Sequence, residues 1–247
     1  MNADLLLDNT TTFYVKAGAT FAGGASLINS SSLFLQDAVD VDVLLVNDGV
    51  LNLGFSGPGQ TIGQDFEQSA SGTWLLELGG TGLSSYDRMT LTGLASLAGT
   101  LNINEIGGFT PSLGDSFTIL LAGSVLGTFD SVIGTPGPGL AYDVIYNPGN
   151  VTLTVVPAAI PGDLDGDGFV GIADLNIVLS NWNQAVPPGN PLADPSGDGF
   201  VGIEDLNEVL SNWNAGTPPQ SSSNIPEPGV VATLGVLGAF MLRRRWL

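Results

Sequence analysis

The sequence predicts a mainly-β chain, a short right-handed β-solenoid or a β-sandwich, followed by a small α-helical module and a C-terminal hydrophobic helix. Three observations lead to this prediction. Residues 9–156 contain short apolar runs between glycine and small polar residues. Residues 162–214 contain two near-identical copies of one segment, and residues 229–242 form an uninterrupted apolar run. A chain of 247 residues has room for one or two domains and a small module.

Residues 1–157 are predicted to form one β-rich domain. Several of its apolar runs alternate apolar with polar residues, which is the two-residue period of a half-buried strand. Turn-forming residues separate the runs at short, fairly regular intervals, and this spacing fits both a solenoid and a sandwich. The predicted strands lie at 12–15, 33–35, 43–46, 50–53, 73–78, 88–92, 100–104, 116–121 and 151–155.

The second half of this domain is made of glycine-bounded alternating runs at 86–93, 97–101, 114–120 and 127–129. It is similar to the segments that end the passenger regions of autotransporter-like and other bacterial surface proteins. The resemblance implies stacked strands that cap a fibre or a display surface.

The repeated segment begins at Gly162 and again at Ala193. In each copy, acidic or hydroxyl side chains occupy loop positions one, three, five and twelve, with Gly at position six. Hard oxygen ligands at this spacing wrap one Ca²⁺, and the glycine permits the sharp turn. The alternative is a pair of Asp-Gly turns without metal.

Two Ca²⁺ sites follow from this pattern, with five proposed ligands in each loop. The ligands are the Asp163, Asp165, Asp167 and Asp174 side chains with the Phe169 carbonyl, and the Asp194, Ser196, Asp198 and Asp205 side chains with the Phe200 carbonyl. Ser196 removes one negative charge, so the second site is expected to bind more weakly. Gly171 and Gly202 occupy position nine, where we expect a water ligand.

A helix is predicted after each loop. Leu175, Val178, Leu179 and Trp182 fall at helical spacing on one face, and Leu206, Val209, Leu210 and Trp213 repeat the pattern. Residues 155–161 are bounded by proline and predicted to be extended, so no helix precedes the first loop. The module is therefore predicted to contain two copies of a loop followed by a helix.

Residues 158–216, with this paired EF-hand-like loop and Asp at position twelve, resemble the type I dockerin. The resemblance implies a Ca²⁺-folded module whose two halves are related by near two-fold symmetry. It also implies docking onto a cohesin-like or other envelope protein.

A flexible linker is predicted at 217–224, before a tail at 225–247. The tail contains Pro226, Glu227 and Pro228, then the apolar run, then Arg243, Arg244 and Arg245. These three parts in order resemble a PEP-CTERM sorting signal. The resemblance implies export, recognition by an exosortase-type processing enzyme, and a single C-terminal membrane segment that is either retained or cut near the triad.

We accordingly expect an exported protein at the cell surface or outside the cell. The apolar run has 14 residues, fewer than the roughly 20 that span a bilayer as a helix, so a core helix is the alternative. Residues 1–8 lack the basic region and the long apolar run of a secretion signal, so we expect the natural start upstream or a fragment.

Composition excludes several classes of function. The chain carries 5 Lys and Arg against 24 Asp and Glu, a net charge of −19, which repels nucleic acid and anionic lipid. Without Cys or His it has no disulfide, thiol nucleophile, zinc site or imidazole base. The adjacent Asp87 and Arg88 are interpreted as solvated rather than as a stabilising ion pair.

The leading hypothesis is a non-enzymatic structural or adhesive protein with a calcium-dependent docking module. The alternative is a glycoside hydrolase-like, polysaccharide-processing component tethered through its dockerin, which needs two carboxylates at the scissile bond. The candidate catalytic carboxylates form no recognisable motif. They are Asp65, Glu67, Glu77, Asp87, Glu105, Asp115, Asp130 and Asp143. A third possibility is that the module clamps onto its own β region.

Overall fold

The computed structural model describes residues 4–7, 12–24, 26–54 and 57–219. The chain divides into two compact units, residues 1–158 and residues 159–247, called here the first and second unit. Within the described residues, the first unit contains 17 β-strands and the second contains two α-helices and a short 3-10 helix.

The strands of the first unit are short. In chain order they are β1 (Leu5–Leu7), β2 (Thr12–Val15), β3 (Thr20–Ala22), β4 (Leu27–Asn29), β5 (Ser32–Leu35), β6 (Val39–Asn47), β7 (Val50–Leu53), β8 (Gln60–Gln68), β9 (Thr73–Leu78), β10 (Arg88–Leu91), β11 (Leu94–Leu97), β12 (Thr100–Glu105), β13 (Ser116–Leu121), β14 (Ser124–Gly127), β15 (Ser131–Ile133), β16 (Leu140–Asn147) and β17 (Asn150–Pro157).

Most of these strands pair in parallel with a strand one circuit further along the chain. One sheet runs β2, β5, β7, β9, β12, β15, all parallel neighbours. Among the described residues the other sheet has 11 strands. The long strands β6 and β8 each pair with one strand at their start and with another at their end, β6 with β3 and β4, and β8 with β10 and β11. Each circuit of the chain is called here a coil. Strands of successive coils therefore lie side by side and pair with one another.

Apolar side chains of successive coils meet in register inside the stack. Leu33 pairs with Leu51, Leu51 with Trp74, and Trp74 with Leu101, and all four are fully buried. Except for the buried Asn52, their neighbours along each strand are less buried, so the two-residue period separates core from surface. The core of the first unit is thus a column of side chains that continues from coil to coil.

An antiparallel hairpin ends the larger sheet. Strand β16 pairs with β17 along its whole length, and β17 pairs with β13 in the antiparallel sense. The prediction of a mainly-β chain is confirmed, and its sheets are largely parallel.

The second unit has its own small core. Helices α1 (Ile172–Ser180) and α2 (Ile203–Ser211) flank the 3-10 helix Pro191–Ala193. Among its described residues, five apolar side chains are fully buried: Val170, Val178, Ala193, Val201 and Val209.

The predicted apolar face of these helices is only partly buried. Val178 and Val209 are buried, whereas Leu179, Leu210 and the tryptophans after each helix are exposed. Each helix has only nine residues, and Trp182 and Trp213 lie beyond its last turn. The prediction that all four positions of each copy share one face is therefore wrong for the last of them.

The predicted localisation needs correction. Among the described residues, no helix combines the length and the apolar character required to cross a membrane. The described residues therefore do not contain the single C-terminal membrane segment that the sequence predicts, which corrects that part of the predicted localisation. The tail at 225–247, with its sorting residues, and residues 220–224 of the linker lie outside the described residues.

Candidate metal centre

Three carboxylates meet in loop 1, which comprises residues 163–174. One carboxylate oxygen from each of Asp163, Asp165 and Asp174 lies within 4.8 Å of the others. Asp174 is fully buried, Asp163 is half-buried and Asp165 is exposed. Carboxylate oxygens at this separation are the hard donors that Ca²⁺ prefers, so the residues present fit that ion.

The backbone of loop 1 wraps around Asp163. The N–H of Gly166 donates to its Oδ1 and the N–H of Gly168 to its Oδ2, both at 2.9 Å. Gly166 and Gly168 have φ angles of 75° and 86°, which an L side chain rarely adopts. The two glycines therefore make the tight turn that brings the loop around its first carboxylate.

Asp174 ties the loop to helix α1. Its Oδ1 accepts the N–H of Leu164 at 2.7 Å, and its Oδ2 accepts the N–H of Gly171 at 2.7 Å. Because Asp174 lies in the first turn of α1, its negative charge also faces the positive end of the helix dipole. One side chain thus fixes both the start of the loop and the start of the helix.

The electrostatics of loop 1 favour a cation. Desolvation is the largest cause that raises the pKa of Asp165 above its ordinary value, and the charges of Asp174, Asp167 and Asp163 raise it further. The N–H of Asp167, which donates to Asp165 Oδ1 at 3.1 Å, opposes this rise. A bound divalent ion would relieve the repulsion among the ionised carboxylates.

Loop 2, residues 194–205, repeats the wrapping of the first carboxylate. Asp194 accepts the N–H of Gly197 at 2.9 Å and that of Gly199 at 3.0 Å. Asp205 is fully buried and accepts the N–H of Gly202 at 2.7 Å. Burial raises the pKa of Asp205, but its hydrogen bonds from Gly202 and Ser196 outweigh burial and lower the pKa overall.

The loops differ at position three. Ser196 stands where loop 1 has Asp165, and its hydroxyl donates to Asp194 Oδ1 at 3.2 Å. The three-carboxylate cluster accordingly forms in loop 1 among the described residues. Asp167 and Asp198 lie outside that cluster, and each accepts the N–H of the following phenylalanine, Phe169 at 2.9 Å and Phe200 at 2.8 Å.

The carboxylates of the first unit bond mainly to turn amides. Asp87 is fully buried and accepts the N–H groups of Gly59 at 2.7 Å and Glu77 at 2.8 Å. Burial raises its pKa to about 8, although both hydrogen bonds act to lower it. The interpretation of Asp87 as solvated is therefore wrong, because the side chain is buried and accepts hydrogen bonds from two backbone amides.

Other carboxylates of the first unit bond to a backbone amide, to a hydroxyl or to a side-chain amide. Asp65, Asp115 and Asp130 accept the amides of Leu94, Ser112 and Gly99 respectively, and Glu105 accepts the hydroxyl of Tyr142. Burial also raises the pKa of Glu77, against the effect of its hydrogen bond with Asn52.

Comparison with protein-family models finds no matching family, and comparison with curated proteins finds no match either.

Proposed function

We propose that residues 158–216 form a calcium-dependent docking module, carried on a β-solenoid scaffold that has no enzymatic role. The observation that carries the proposal is the cluster of Asp163, Asp165 and Asp174, whose oxygens lie within 4.8 Å of one another. Without a cation, three negative charges at that separation repel each other, so binding of Ca²⁺ favours the closed loop.

The exposed apolar residues of the second unit support the docking role. Ile172, Leu179 and Trp182 are 64%, 49% and 43% exposed. Their counterparts in the second copy, Ile203, Leu210 and Trp213, are 52%, 49% and 39% exposed. Large apolar residues at equivalent places in both halves favour contact with a protein partner, and tryptophan is enriched in such contacts.

The solenoid assignment rests on the direction of strand pairing. Parallel pairing between successive coils requires a crossover each time, which a β-sandwich of antiparallel hairpins lacks. The carboxylates bonded to turn amides support a structural role for this unit. The partner that we propose is a cohesin-like protein, whose contact surface would be apolar with a basic margin, because the module is acidic.

Titration of the full chain with Ca²⁺, followed by calorimetry and tryptophan fluorescence, tests the metal. We expect two binding events, abolished when Asp163→Asn and Asp165→Asn are combined with Asp194→Asn and Asp198→Asn. Absence of calcium uptake by the unchanged chain would refute the proposal.

Capture of an isolated cohesin domain by the immobilised chain tests the docking. We expect capture in calcium and release in chelator, with loss of capture in Trp182→Ala/Trp213→Ala. Leu113→Ala, at a comparably exposed leucine of the first unit, is the control and should capture normally. Calcium uptake without any capture would leave the metal assignment intact and refute the cohesin-like partner.

A further inference from the structure

Each metal loop is hydrogen-bonded to the chain that leaves the opposite helix. After α2, the N–H of Asn214 donates to the Val170 carbonyl at 3.0 Å, and the N–H of Val170 donates to the Ala215 carbonyl at 2.9 Å. The N–H of Thr217 then donates to the Gly168 carbonyl at 2.9 Å. Loop 1 is thus paired with the exit of α2 rather than with the exit of its own helix.

The second loop repeats this pairing with the exit of α1. The N–H of Asn183 donates to the Val201 carbonyl at 3.0 Å, and the N–H of Val201 donates to the Gln184 carbonyl at 2.8 Å. The N–H of Val186 donates to the Gly199 carbonyl at 2.8 Å. The two halves of the module are therefore connected crosswise.

One glycine in each loop links the candidate ligands directly to this pairing. Gly168 donates its N–H to Asp163 Oδ2 and accepts the N–H of Thr217 at its carbonyl. Gly199 likewise donates to Asp194 Oδ2 and accepts from Val186. A change in the position of the first ligand must therefore shift the backbone on which the opposite exit segment is paired.

Two asparagines turn the chain onto the opposite loop. Asn183 has a φ angle of 64° and Asn214 one of 65°, so both adopt the left-handed conformation just beyond their helices. Asparagine and glycine tolerate this conformation, whereas a β-branched residue is strained in it. The local sequence predicts no role for these two residues, although Asn-Trp-Asn ends both copies.

We propose that Asn214 is a positioning residue for the metal site of loop 1 and Asn183 for that of loop 2, so that the sites are coupled crosswise. Binding of calcium in loop 1 orders residues 214–217, and binding in loop 2 orders residues 183–186. By thermodynamic linkage, loosening either exit segment weakens the metal site in the opposite copy. This inference rests on the calcium binding proposed above.

The first test measures calcium affinity of the full chain, with calcium alone as the probe. Asp194→Asn/Asp198→Asn disables loop 2, so that the measured affinity is that of loop 1. Asp163→Asn/Asp165→Asn disables loop 1, so that the measured affinity is that of loop 2. In these backgrounds we expect Asn214→Val to weaken the calcium affinity of loop 1 about tenfold, because one strained residue costs a free energy of that scale. The calcium affinity of loop 2 should change by less than about twofold. Asn183→Val should have the reverse effect.

Conservative variants separate positioning from a loss of folding. Asn214→Gly and Asn183→Gly should retain affinity, because glycine adopts the same backbone conformation. Gly216→Ala should weaken loop 1 in the manner of Asn214→Val, because its Cβ would collide with the Gly168 carbonyl oxygen.

The second test is hydrogen exchange. Disabling loop 1 should accelerate amide exchange at 214–217 and spare 183–186, and disabling loop 2 should do the opposite. If each disabled loop instead loosens the exit of its own helix, or if the asparagine variants weaken the uncrossed sites, the coupling is refuted while calcium binding stands. If the unchanged chain takes up no calcium, the proposed function itself fails.

Discussion

Asn29 donates a hydrogen bond from its side-chain amide to the side-chain oxygen of Asn47 at 2.8 Å, and both residues are completely buried. The amide of Asn47 in turn donates to Gln68 Oε1 at 2.8 Å. The three residues pair in register on successive coils. This row of amides, called here the amide ladder, satisfies polar groups at the place where each coil turns from one sheet into the other.

Replacement of Asn47 by Ala should destabilise the first unit by about 3 kcal/mol, because buried donors and acceptors lose their partners. Asn47 accepts from Asn29 and donates to Gln68 and to the Thr73 carbonyl, so its loss interrupts the ladder on both sides. Urea unfolding of the full chain in saturating calcium gives the free energy of unfolding.

The matched control for the ladder is Asn102→Ala. Asn102 is a half-buried asparagine at an outward-facing position of β12, between the buried Leu101 and Ile103. Its replacement should cost less than about 1 kcal/mol, as is usual for surface positions. Equal costs at the two asparagines would contradict a special role of the ladder.

Replacement of Trp74 by Phe should lower the free energy of unfolding far less than replacement by Ala. The Trp74 ring is fully buried between Phe66 and Phe129, with ring centroids 6.0 Å and 6.3 Å away. Its Nε1 has no hydrogen-bond partner among the described residues, so Trp74→Phe removes an unpaired donor while it keeps most of the ring contacts. We expect a cost of about 1 kcal/mol for Phe and about 4 kcal/mol for Ala.

Leu75→Ala is the control for this pair, because Leu75 is the half-buried neighbour that faces outward on β9. Its cost should resemble that of Trp74→Phe. A cost for Trp74→Phe close to that of Trp74→Ala would show that the indole N–H contributes to stability.

Asp87 should make the first unit less stable as the pH rises. Burial raises its pKa from 3.8 to about 8, so the folded state favours the protonated carboxyl. Below pH 3.8 the folded and unfolded chains both hold the proton on Asp87, so the protonated carboxyl makes its full contribution to the free energy of unfolding. Between 3.8 and about 8 the unfolded chain loses the proton first, so the free energy of unfolding falls, and above about 8 it levels off.

The measurement is the free energy of unfolding across this pH range, in the unchanged chain and in Asp87→Asn. The variant should be less stable overall, because its amide NH₂ faces a backbone N–H, from Gly59 or Glu77. The difference between the two chains should shrink as the pH rises, since only the carboxyl titrates. A constant difference would show that Asp87 is ionised throughout.

Strands were predictable where local alternation matched the core. The predicted runs at 12–15, 50–53, 73–78 and 116–121 coincide with β2, β7, β9 and β13. Strand β8 was missed because its pattern is inverted: Ile62 is 55% exposed, whereas Thr61 and Gln68 are buried. The inward Gln68 depends on hydrogen bonds with Asn47 and with the Thr100 carbonyl in neighbouring coils, which the local sequence does not reveal.

The same distinction applies to the candidate metal centre. Asp163 and Asp174 act within a loop of twelve residues, so their spacing alone predicts that they meet. The pairing of Gly168 with Thr217 joins residues from different copies and depends on how the two helices pack. Contacts of that kind are decided by the folded module and leave no periodic signal.

Ser196→Asp should strengthen calcium binding in loop 2 about tenfold, because affinity in such loops increases with the number of charged ligands. The new carboxylate would occupy the place that Asp165 has in loop 1, beside Asp194 and Asp205. Calorimetry with loop 1 disabled by Asp163→Asn/Asp165→Asn isolates the site, and Ser124→Asp on the exposed edge of β14 controls for the added net charge. Without calcium the same substitution should destabilise the second unit through added repulsion, so an increase in affinity with no loss of stability in chelator would contradict the electrostatic explanation.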